Sequence, residues 1–312
     1  MARQLLVDGP RRSLHSTAIH CKQRDTMVSS HEIRFTLPSI EIAGKVWGEP
    51  GGLPVIGLHG WLDNAATFDL IGPQLSKVHL VALDLPGHGL SDHLPAGGYS
   101  LWQQAATVLQ VANDLGWKRF ALLGHSMGGI ISCILSGTLP QRLIGAAMID
   151  GLLPVTGEAQ DAPRQMARFF EASQALAGKR KPVYDSADKA VSARVLGGTS
   201  SISRGAAAML VERGLMPEQG GWTWRTDPQL MLPSPVRLTF EHAIAFAEAI
   251  STPTCLVLAN QGVMAKHPLL MERIDSFGHI QTHRLEGGHH LHLEEQAPIV
   301  ATIIDSFFQT LA

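Results

Sequence analysis

Short apolar runs alternate along the chain with longer segments in which apolar and polar residues mix. Six of the runs are short and largely apolar, a pattern that predicts buried strands. The segments between most of them carry apolar residues at helical spacing, which predicts helices. The predicted strands span residues 54–60, 79–84, 120–125, 143–150, 254–259 and 280–287, and the predicted helices span residues 65–75, 101–115, 127–138, 267–277 and 297–311.

The order of these elements predicts the fold class. Residues 31–47 form two alternating segments around Pro38 and Ser39, which predicts a hairpin at the edge of a sheet. Strands that alternate with helices further along predict an α/β fold, a mostly parallel sheet flanked by helices on both faces. Ligands of such sheets bind beyond the carboxyl ends of the strands, so the residues that follow each strand are the first candidates for chemistry.

One interval interrupts the alternation. Residues 151–240 contain no convincing buried strand and are polar, alanine-rich and helix-prone. We interpret them as a helical cap inserted into a core made of residues 27–150 and 241–312. An independent second domain is the alternative, which the immediate return of the strand pattern disfavours. Within the cap, Trp222 and Trp224 are expected to pair, and Arg225 is expected to contact Asp227. The alternative is that these four residues line the entrance to the site.

Composition narrows the function classes. The chain has 312 residues, 45% of them hydrophobic, and a formal net charge of -2, which argues against nucleic acid or an anionic membrane as the main partner. No apolar stretch approaches the length of a membrane span. Three cysteines exclude a full disulfide framework and suit a reducing compartment, so we expect a cytoplasmic protein.

The first 26 residues differ from the rest of the chain. They include four arginines, one lysine, hydroxyl residues and few acids, a composition that resembles a mitochondrial presequence, and they lack the apolar block of a secretory signal. We interpret residues 1–26 as a leader or a disordered extension. A mitochondrial location is therefore the alternative to the cytoplasm.

A serine lies at the predicted corner between a strand and a helix. Gly124, Ser126 and Gly128 fit the pattern G-x-S-x-G, in which a nucleophilic serine is held on a sharp turn with its hydroxyl exposed. The pattern is loose and also fits an ordinary glycine-rich turn. A base, an acid and two oxyanion donors elsewhere in the chain would therefore favour the nucleophile over an ordinary turn.

The base that activates such a serine is expected after the last strand. The segment "LEGGHHLHLEEQAP" offers three histidines there. His289 directly follows the glycines that close the strand and is the preferred general base, with His290 as the alternative. His292 is expected to pack or hydrogen-bond within the loop. A metal site is disfavoured because neighbouring side chains point in different directions and no matching ligand spacing accompanies them.

Two backbone amides are needed to bind the oxyanion of an acyl-transfer reaction. Met127 follows the nucleophile and supplies the first. The second belongs to the loop after an earlier strand, where "LHGWLDN" makes the Trp61 amide the natural donor and Gly60 allows close approach.

The motifs "LHGWLDN", "LDLPGHGLSDH", "GHSMGG" and "GGHHLHLE" occur in this order from residue 58 to residue 294. In order and spacing they resemble the α/β-hydrolase superfamily. "HGWLDNAATF", the cap passage "WTWRTDPQL" and "GGHHLHLE" more narrowly resemble the serine hydrolase-like proteins and their bacterial relatives. The resemblance implies a hydrolase that needs no cofactor or metal, and it names no substrate.

The acid of the site departs from the commonest pattern of the superfamily. Most members carry an aspartate after the strand that is "CLVLA" in this chain, where the sequence has Gly262. The substitute is Asp150, which follows the strand "AAMI" and lies after the same strand as the acid of related dehalogenases. Asp150 would orient His289 and stabilise its imidazolium form. A structural role at the start of the cap is the alternative.

These residues predict a serine hydrolase of the esterase type that acts on a small, partly apolar acyl substrate through Ser126, His289 and Asp150. Thioesterase, amidase and carbon-carbon bond hydrolase activities pass through similar oxyanions and stay open. A non-catalytic binding or receptor protein on the same fold is the alternative of a different class. The absence of an acid at the usual position favours a binding protein. The presence of the serine, the histidine and both oxyanion positions favours an enzyme.

Overall fold

Eight strands form a single sheet in the order β1-β2-β4-β3-β5-β6-β9-β10. The structure, a computed structural model, describes residues 29–95, 98–176, 178–197 and 200–312, so the prediction for residues 1–26 lies outside it. β2 pairs antiparallel with β1 and with β4, and the remaining pairs of this sheet are parallel. The strands are β1 (His31–Leu37), β2 (Ile40–Trp47), β3 (Leu53–Leu58), β4 (Val78–Leu83), β5 (Phe120–His125), β6 (Leu143–Ile149), β9 (Thr254–Ala259) and β10 (Ile280–Leu285), with a separate hairpin of β7 (Leu215–Glu218) and β8 (Gly221–Trp224).

Helices cover both faces of the sheet and fill the interval between β6 and β9. Ser100 begins α1 with a capping box, in which its side chain accepts from the Gln103 amide and the Gln103 side chain accepts from the Ser100 amide. None of the helices in the described ranges is long and apolar enough to cross a bilayer. The helices are α1 (Leu101–Asp114), α2 (Met127–Thr138), α3 (Ala162–Leu176), α4 (Ala187–Gly197), α5 (Arg204–Gly214), α6 (Phe240–Glu248), α7 (Pro268–Asp275) and α8 (Ala297–Gln309).

The central strands are buried on both faces, as the continuous apolar runs predict. Along β5, Phe120 and Leu122 pack into one core cluster together with residues of α1, α2 and α6. Ala121 and Leu123 pack into the cluster on the opposite face, which is closed by α8. The predicted α/β fold with a mostly parallel sheet is therefore confirmed, and its parallel strands end together at one edge.

The helix predicted for residues 65–75 is wrong. The segment instead forms two short 3-10 turns, Ala65–Phe68 and Gly72–Gln74. The side chain of Asn64 accepts from the Ala66 amide and begins the first turn. Gly72 and Pro73 interrupt any longer helix, because glycine favours other conformations and proline lacks the amide donor.

Between β6 and β9, residues 151–240 contain α3, α4, α5 and the hairpin β7–β8. The sequence pattern missed this hairpin and also α6, which begins at Phe240 and packs on the core. The hairpin turns through Gly220, whose φ of 91° suits glycine. The sequence signal for this hairpin was the alternation of apolar and polar residues in "GWTW", which follows directly after a glycine turn.

The contacts predicted for Arg225 and the tryptophans are also wrong. Arg225 Nε donates to the carbonyl of Leu215 at 2.9 Å, because the hairpin brings that carbonyl within reach. Asp227 accepts from the Tyr99 hydroxyl at 2.7 Å instead. Trp224 packs edge-to-face on Tyr184, with 5.9 Å between the ring centroids.

Candidate active site

Ser126 lies in the sharp turn that joins β5 to α2. Its φ is 52° and its ψ is -113°, a conformation that is strained for any residue with a side chain. The flanking glycines make the turn possible. A Cβ on Gly128 would lie 2.0 Å from the carbonyl oxygen of Leu58, and a Cβ on Gly124 would lie 2.3 Å from that of Gly128. The sequence folds this way locally because larger residues would separate β3, β5 and α2.

His289 follows β10 and reaches back across the sheet edge to Ser126. Its Nε2 lies 2.8 Å from Ser126 Oγ, and its Nδ1 lies 2.6 Å from Asp150 Oδ2. Because an ionised carboxylate only accepts hydrogen bonds, Nδ1 carries the proton and Nε2 accepts the proton of the serine hydroxyl. The three residues predicted from chain order therefore form one continuous hydrogen-bonded chain.

Asp150 stands directly after β6 with a φ of 41° and is fully buried. Besides His289, its carboxylate accepts from the backbone amides of Ala259 at 3.2 Å and Val263 at 3.1 Å. Both donors belong to the end of β9 and the loop behind it. A Cβ on Gly262 would lie 2.2 Å from Asp150 Oδ2, so this glycine leaves the space that the carboxylate fills.

The two predicted amide donors belong to two elements that border the serine. Met127 is the first residue of α2, where backbone amides have no partner within the helix and the helix dipole favours negative charge. Trp61 lies in a turn that is closed by the Asp63 amide donating to the Gly60 carbonyl at 3.1 Å. A Cβ on Gly60 would lie 3.2 Å from Ser126 Cβ, so the turn packs directly on the serine.

The other two histidines of the loop contact different partners. His290 Nε2 lies 3.5 Å from Asp63 Oδ2. His292 Nε2 lies 2.8 Å from Thr67 Oγ1 of the turn Ala65–Phe68, so its hydrogen bond leaves the loop within which it was expected. Neither ring is the one hydrogen-bonded to Ser126. Within the described ranges, no three histidine, cysteine or acidic side chains are grouped to hold a metal.

A buried group that sequence reasoning missed lies beneath the site. Burial lowers the pKa of His125 to about 4, although the negative charge of the nearby Asp63 carboxylate opposes this. His125 Nε2 donates to the backbone carbonyl of His289 at 3.0 Å and so supports the loop that carries His289. Burial would raise the pKa of Asp63, but contact with His290 and the positive charge of the Arg194 guanidinium hold it well below its usual range. The sequence signals that could have indicated this pair are the histidine directly before Ser126 and the aspartate of "GWLD".

The loop after β4 is held by buried hydrogen bonds. Asp84 is fully buried and accepts from the amides of Ala65 at 2.8 Å and Leu90 at 2.7 Å. His59 accepts from the Leu85 amide at 2.9 Å through Nε2 and donates to the Gly60 carbonyl through Nδ1. These contacts fix the turn that follows β4.

A large cavity opens at Ser126, with a volume of about 840 Å³. We call it the serine cavity. Its wall near the serine is largely apolar, and its outer part carries Glu158, Glu272 and Arg273. The apolar residues of the wall are Ile130, Leu153, Val155, Phe240, Val263, Met264 and Leu270.

Three elements of residues 151–240 bind the loop that contains Trp61. Arg194 of α4 forms an ion pair with Asp63, with 2.5 Å between Nη2 and Oδ1. The Trp61 indole donates to the Leu230 carbonyl at 3.0 Å, and the Asn64 amide group donates to the Leu210 carbonyl at 2.8 Å. The position of this loop therefore depends on segments that are distant in sequence.

Comparison with known proteins gives one family. A family model described as alpha/beta hydrolase fold matches residues 54–296. The chain is 30% identical to the serine hydrolase-like protein of Danio rerio over 290 residues, which cover 89% of this chain and 88% of that protein. It is 32% identical to the human serine hydrolase-like protein 2 over 203 residues, 64% of this chain and 65% of that protein.

Solved structures agree with this result. A hypothetical protein from Pseudomonas aeruginosa PAO1 is 49% identical, superposes with a TM-score of 0.86, and the match covers 89% of this chain and 99% of that one. The thioesterase domain from the curacin biosynthetic pathway shares the fold, with a TM-score of 0.76 at 23% identity over 90% of this chain and 99% of that one.

Proposed function

Because this chain belongs to the alpha/beta hydrolase fold family, we propose that it is a serine hydrolase of the esterase type, in which Ser126 attacks the acyl carbonyl of a small substrate. The observation that carries the proposal is the hydrogen-bonded chain from Ser126 Oγ through His289 to Asp150. A serine hydroxyl is a weak nucleophile by itself, and this arrangement provides the base and the group that orients the base.

In the first half of the reaction, Ser126 Oγ bonds to the carbonyl carbon while its proton passes to His289 Nε2. Asp150 stabilises the imidazolium that forms. The Met127 and Trp61 amides donate to the oxyanion. The tetrahedral intermediate then collapses, the bond to the leaving group breaks, and His289 returns the proton to the departing alcohol or thiol.

In the second half, His289 removes a proton from water, and the resulting hydroxide attacks the acyl-enzyme. Collapse of the second intermediate releases the carboxylic acid and restores the serine hydroxyl. The apolar wall of the serine cavity favours an acyl group with a hydrocarbon part. Residues 151–240 act as a cap over this cavity, and the cytoplasm is the expected site of action.

The test is covalent labelling of the purified protein with a fluorophosphonate probe, followed by peptide mass mapping. We expect one tag on Ser126, none on the Ser126→Ala variant, and full labelling of Ser173→Ala, which replaces a serine of α3 outside the serine cavity. Hydrolysis of short p-nitrophenyl esters should depend on the same residue. A folded wild-type protein that neither takes the tag nor turns over any ester would overturn the proposal.

A further inference from the structure

A second cavity, of about 490 Å³, lies between residues 151–240 and the loop after β3. We call it the basic cavity. Part of its wall is apolar or aromatic, and four cationic side chains complete it. The apolar and aromatic residues are Leu62, Leu176, Tyr184, Trp224 and Met231, and the cationic residues are Lys179, Arg180, Lys181 and Arg194.

The charges of the basic cavity favour an anion. Asp227 is the one carboxylate among its described lining residues, and that group is buried and accepts from the Tyr99 hydroxyl. Lys179 and Arg180 are exposed at the opening, and Lys181 is half-buried. The serine cavity differs, because its outer part carries two glutamates and one arginine. Lys181 Nζ donates to the carbonyls of Trp224 and Arg225, and Arg194 pairs with Asp63, so Lys179 and Arg180 are the cationic side chains left for an anion.

The basic cavity lies close to the reacting atoms. Its inner wall includes Leu62, which directly follows Trp61. Consecutive Cα atoms are about 3.8 Å apart, so the Leu62 Cα lies within about 7.6 Å of the Gly60 Cα. Gly60 itself packs on Ser126. Arg194 connects the two regions, since it lines the cavity and pairs with Asp63 of the same loop.

We propose that the substrate is an ester or thioester with an anionic leaving group, whose acyl part occupies the serine cavity and whose leaving group extends into the basic cavity. This inference rests on the proposed function. A hydrocarbon stem would pack on Leu62 and Trp224, and a phosphate or carboxylate at its far end would bind Lys179 and Arg180.

The chemistry is the acyl transfer already described. The bond from the carbonyl carbon to the leaving oxygen or sulfur breaks, its electron pair stays with the leaving atom, and His289 protonates that atom. The distal anion takes no part in bond making. Its contribution is to hold the leaving group in position, which raises kcat/KM for charged substrates over neutral ones of the same reactivity.

The experiment compares hexanoyl esters of straight-chain diols, from ethanediol to octanediol, each made with a free terminal hydroxyl and with a terminal phosphate. Within each pair the scissile bond and the acyl group are identical. We expect kcat/KM to be about tenfold higher for the phosphate ester at the diol length that reaches the opening. The preference should decrease in high salt, which screens exposed charges.

The variant Lys179→Gln/Arg180→Gln should bring the ratio of phosphate ester to neutral ester close to one. Lys118→Gln, which replaces an exposed lysine just before β5 at the opposite end of that strand from Ser126, should keep the wild-type ratio. Equal turnover of both esters at every diol length would overturn this inference and leave the proposed function standing. Absence of turnover together with absence of fluorophosphonate labelling at Ser126 would overturn both.

Discussion

At the scale of single residues, the candidate site concentrates unusual backbone conformations. Leu62, Ser126 and Asp150 have positive φ values of 64°, 52° and 41°, although none of them is glycine. Such conformations cost on the order of 1–3 kcal/mol each and persist only where surrounding contacts impose them. Each of the three residues belongs to a turn at the carboxyl end of a sheet strand. The fold thus holds Ser126, Asp150 and the loop of Trp61 and Leu62 in fixed positions.

The acid is the least conventional residue of the site, and its replacement gives a direct prediction. Asp150→Asn should lower kcat by about 10³-fold or more, because the amide no longer stabilises the imidazolium of His289 and favours the wrong tautomer. Ester hydrolysis by the purified variant measures this loss, with circular dichroism as the check on folding. Asp114→Asn, at the exposed end of α1, should behave as wild type. Near-normal turnover by folded Asp150→Asn would remove Asp150 from the mechanism.

Gly262 should be essential for a steric reason. In Gly262→Ala the new Cβ would lie 2.2 Å from Asp150 Oδ2, so the carboxylate must move away from His289. We expect kcat to decrease by at least about tenfold, since a misplaced group beside the reacting atoms is costly. Gly278→Ala is the matched control, because its Cβ would meet no atom within 4 Å. Equal kcat values for the two variants would contradict this account.

At the scale of elements, α4 supports the loop that carries the Trp61 amide. The Arg194 side chain is 14% exposed and that of Asp63 is 1% exposed, so their ion pair is largely shielded from water. Removal of one partner from such a pair leaves the other charge buried and uncompensated. The pair therefore links the stability of residues 151–240 to the geometry of the loop that carries Trp61 and Asp63.

We expect Arg194→Met to lower the free energy of unfolding by about 2 kcal/mol and to lower kcat more than it changes KM for neutral esters. Urea denaturation and steady-state kinetics measure the two effects. A double-mutant cycle with Asp63→Asn should give a coupling energy of about 1 kcal/mol or more. Arg204→Met breaks an exposed pair with Asp188, so its effects should be small. If the effects of the two substitutions are additive, Arg194 and Asp63 are not coupled, and α4 does not stabilise the loop through this pair.

Most elements of the core could be predicted from sequence because their signals are local. β5 and β9 match the predicted bounds, and α2 begins and ends where the pattern placed it. The hairpin of residues 215–224 was missed because its strands are short and only partly buried. The pairing of Asp63 with Arg194 joins residues 131 positions apart, and no spacing in the sequence indicates a contact of that kind. Chain order did predict which serine, histidine and acid would be brought together.

At the scale of the whole molecule, buried neutral histidines make stability depend on pH. Burial lowers the pKa of His59 and of His125 to about 4 and that of His88 to about 3. In the unfolded chain these groups titrate near 6.5. Between about pH 4 and pH 6.5 the unfolded state binds more protons than the folded state, so stability is complete above pH 6.5 and decreases as the pH falls.

The predicted loss at pH 5 is about 2 kcal/mol for each of His59 and His125, relative to pH 7.5. Urea denaturation at the two pH values measures it. His59→Gln should reduce the difference by about 2 kcal/mol, because glutamine cannot gain this charge on unfolding. His31→Gln, at an exposed position of β1, should leave the difference unchanged. A pH dependence that is identical in wild type and His59→Gln would contradict the assignment.

The position of Asp150 after β6 also has a consequence for substitutions in the cavity wall. The strand of the acid is the immediate neighbour of the strand of the nucleophile, and the loop after β9 contributes only backbone amides to the carboxylate. The side chains of His267, Leu270 and Glu272 can therefore change without removing a hydrogen bond from Asp150, although all three line the serine cavity. In the proposed reaction, substitutions at these positions would change which acyl groups fit while Ser126, His289 and Asp150 stay in place.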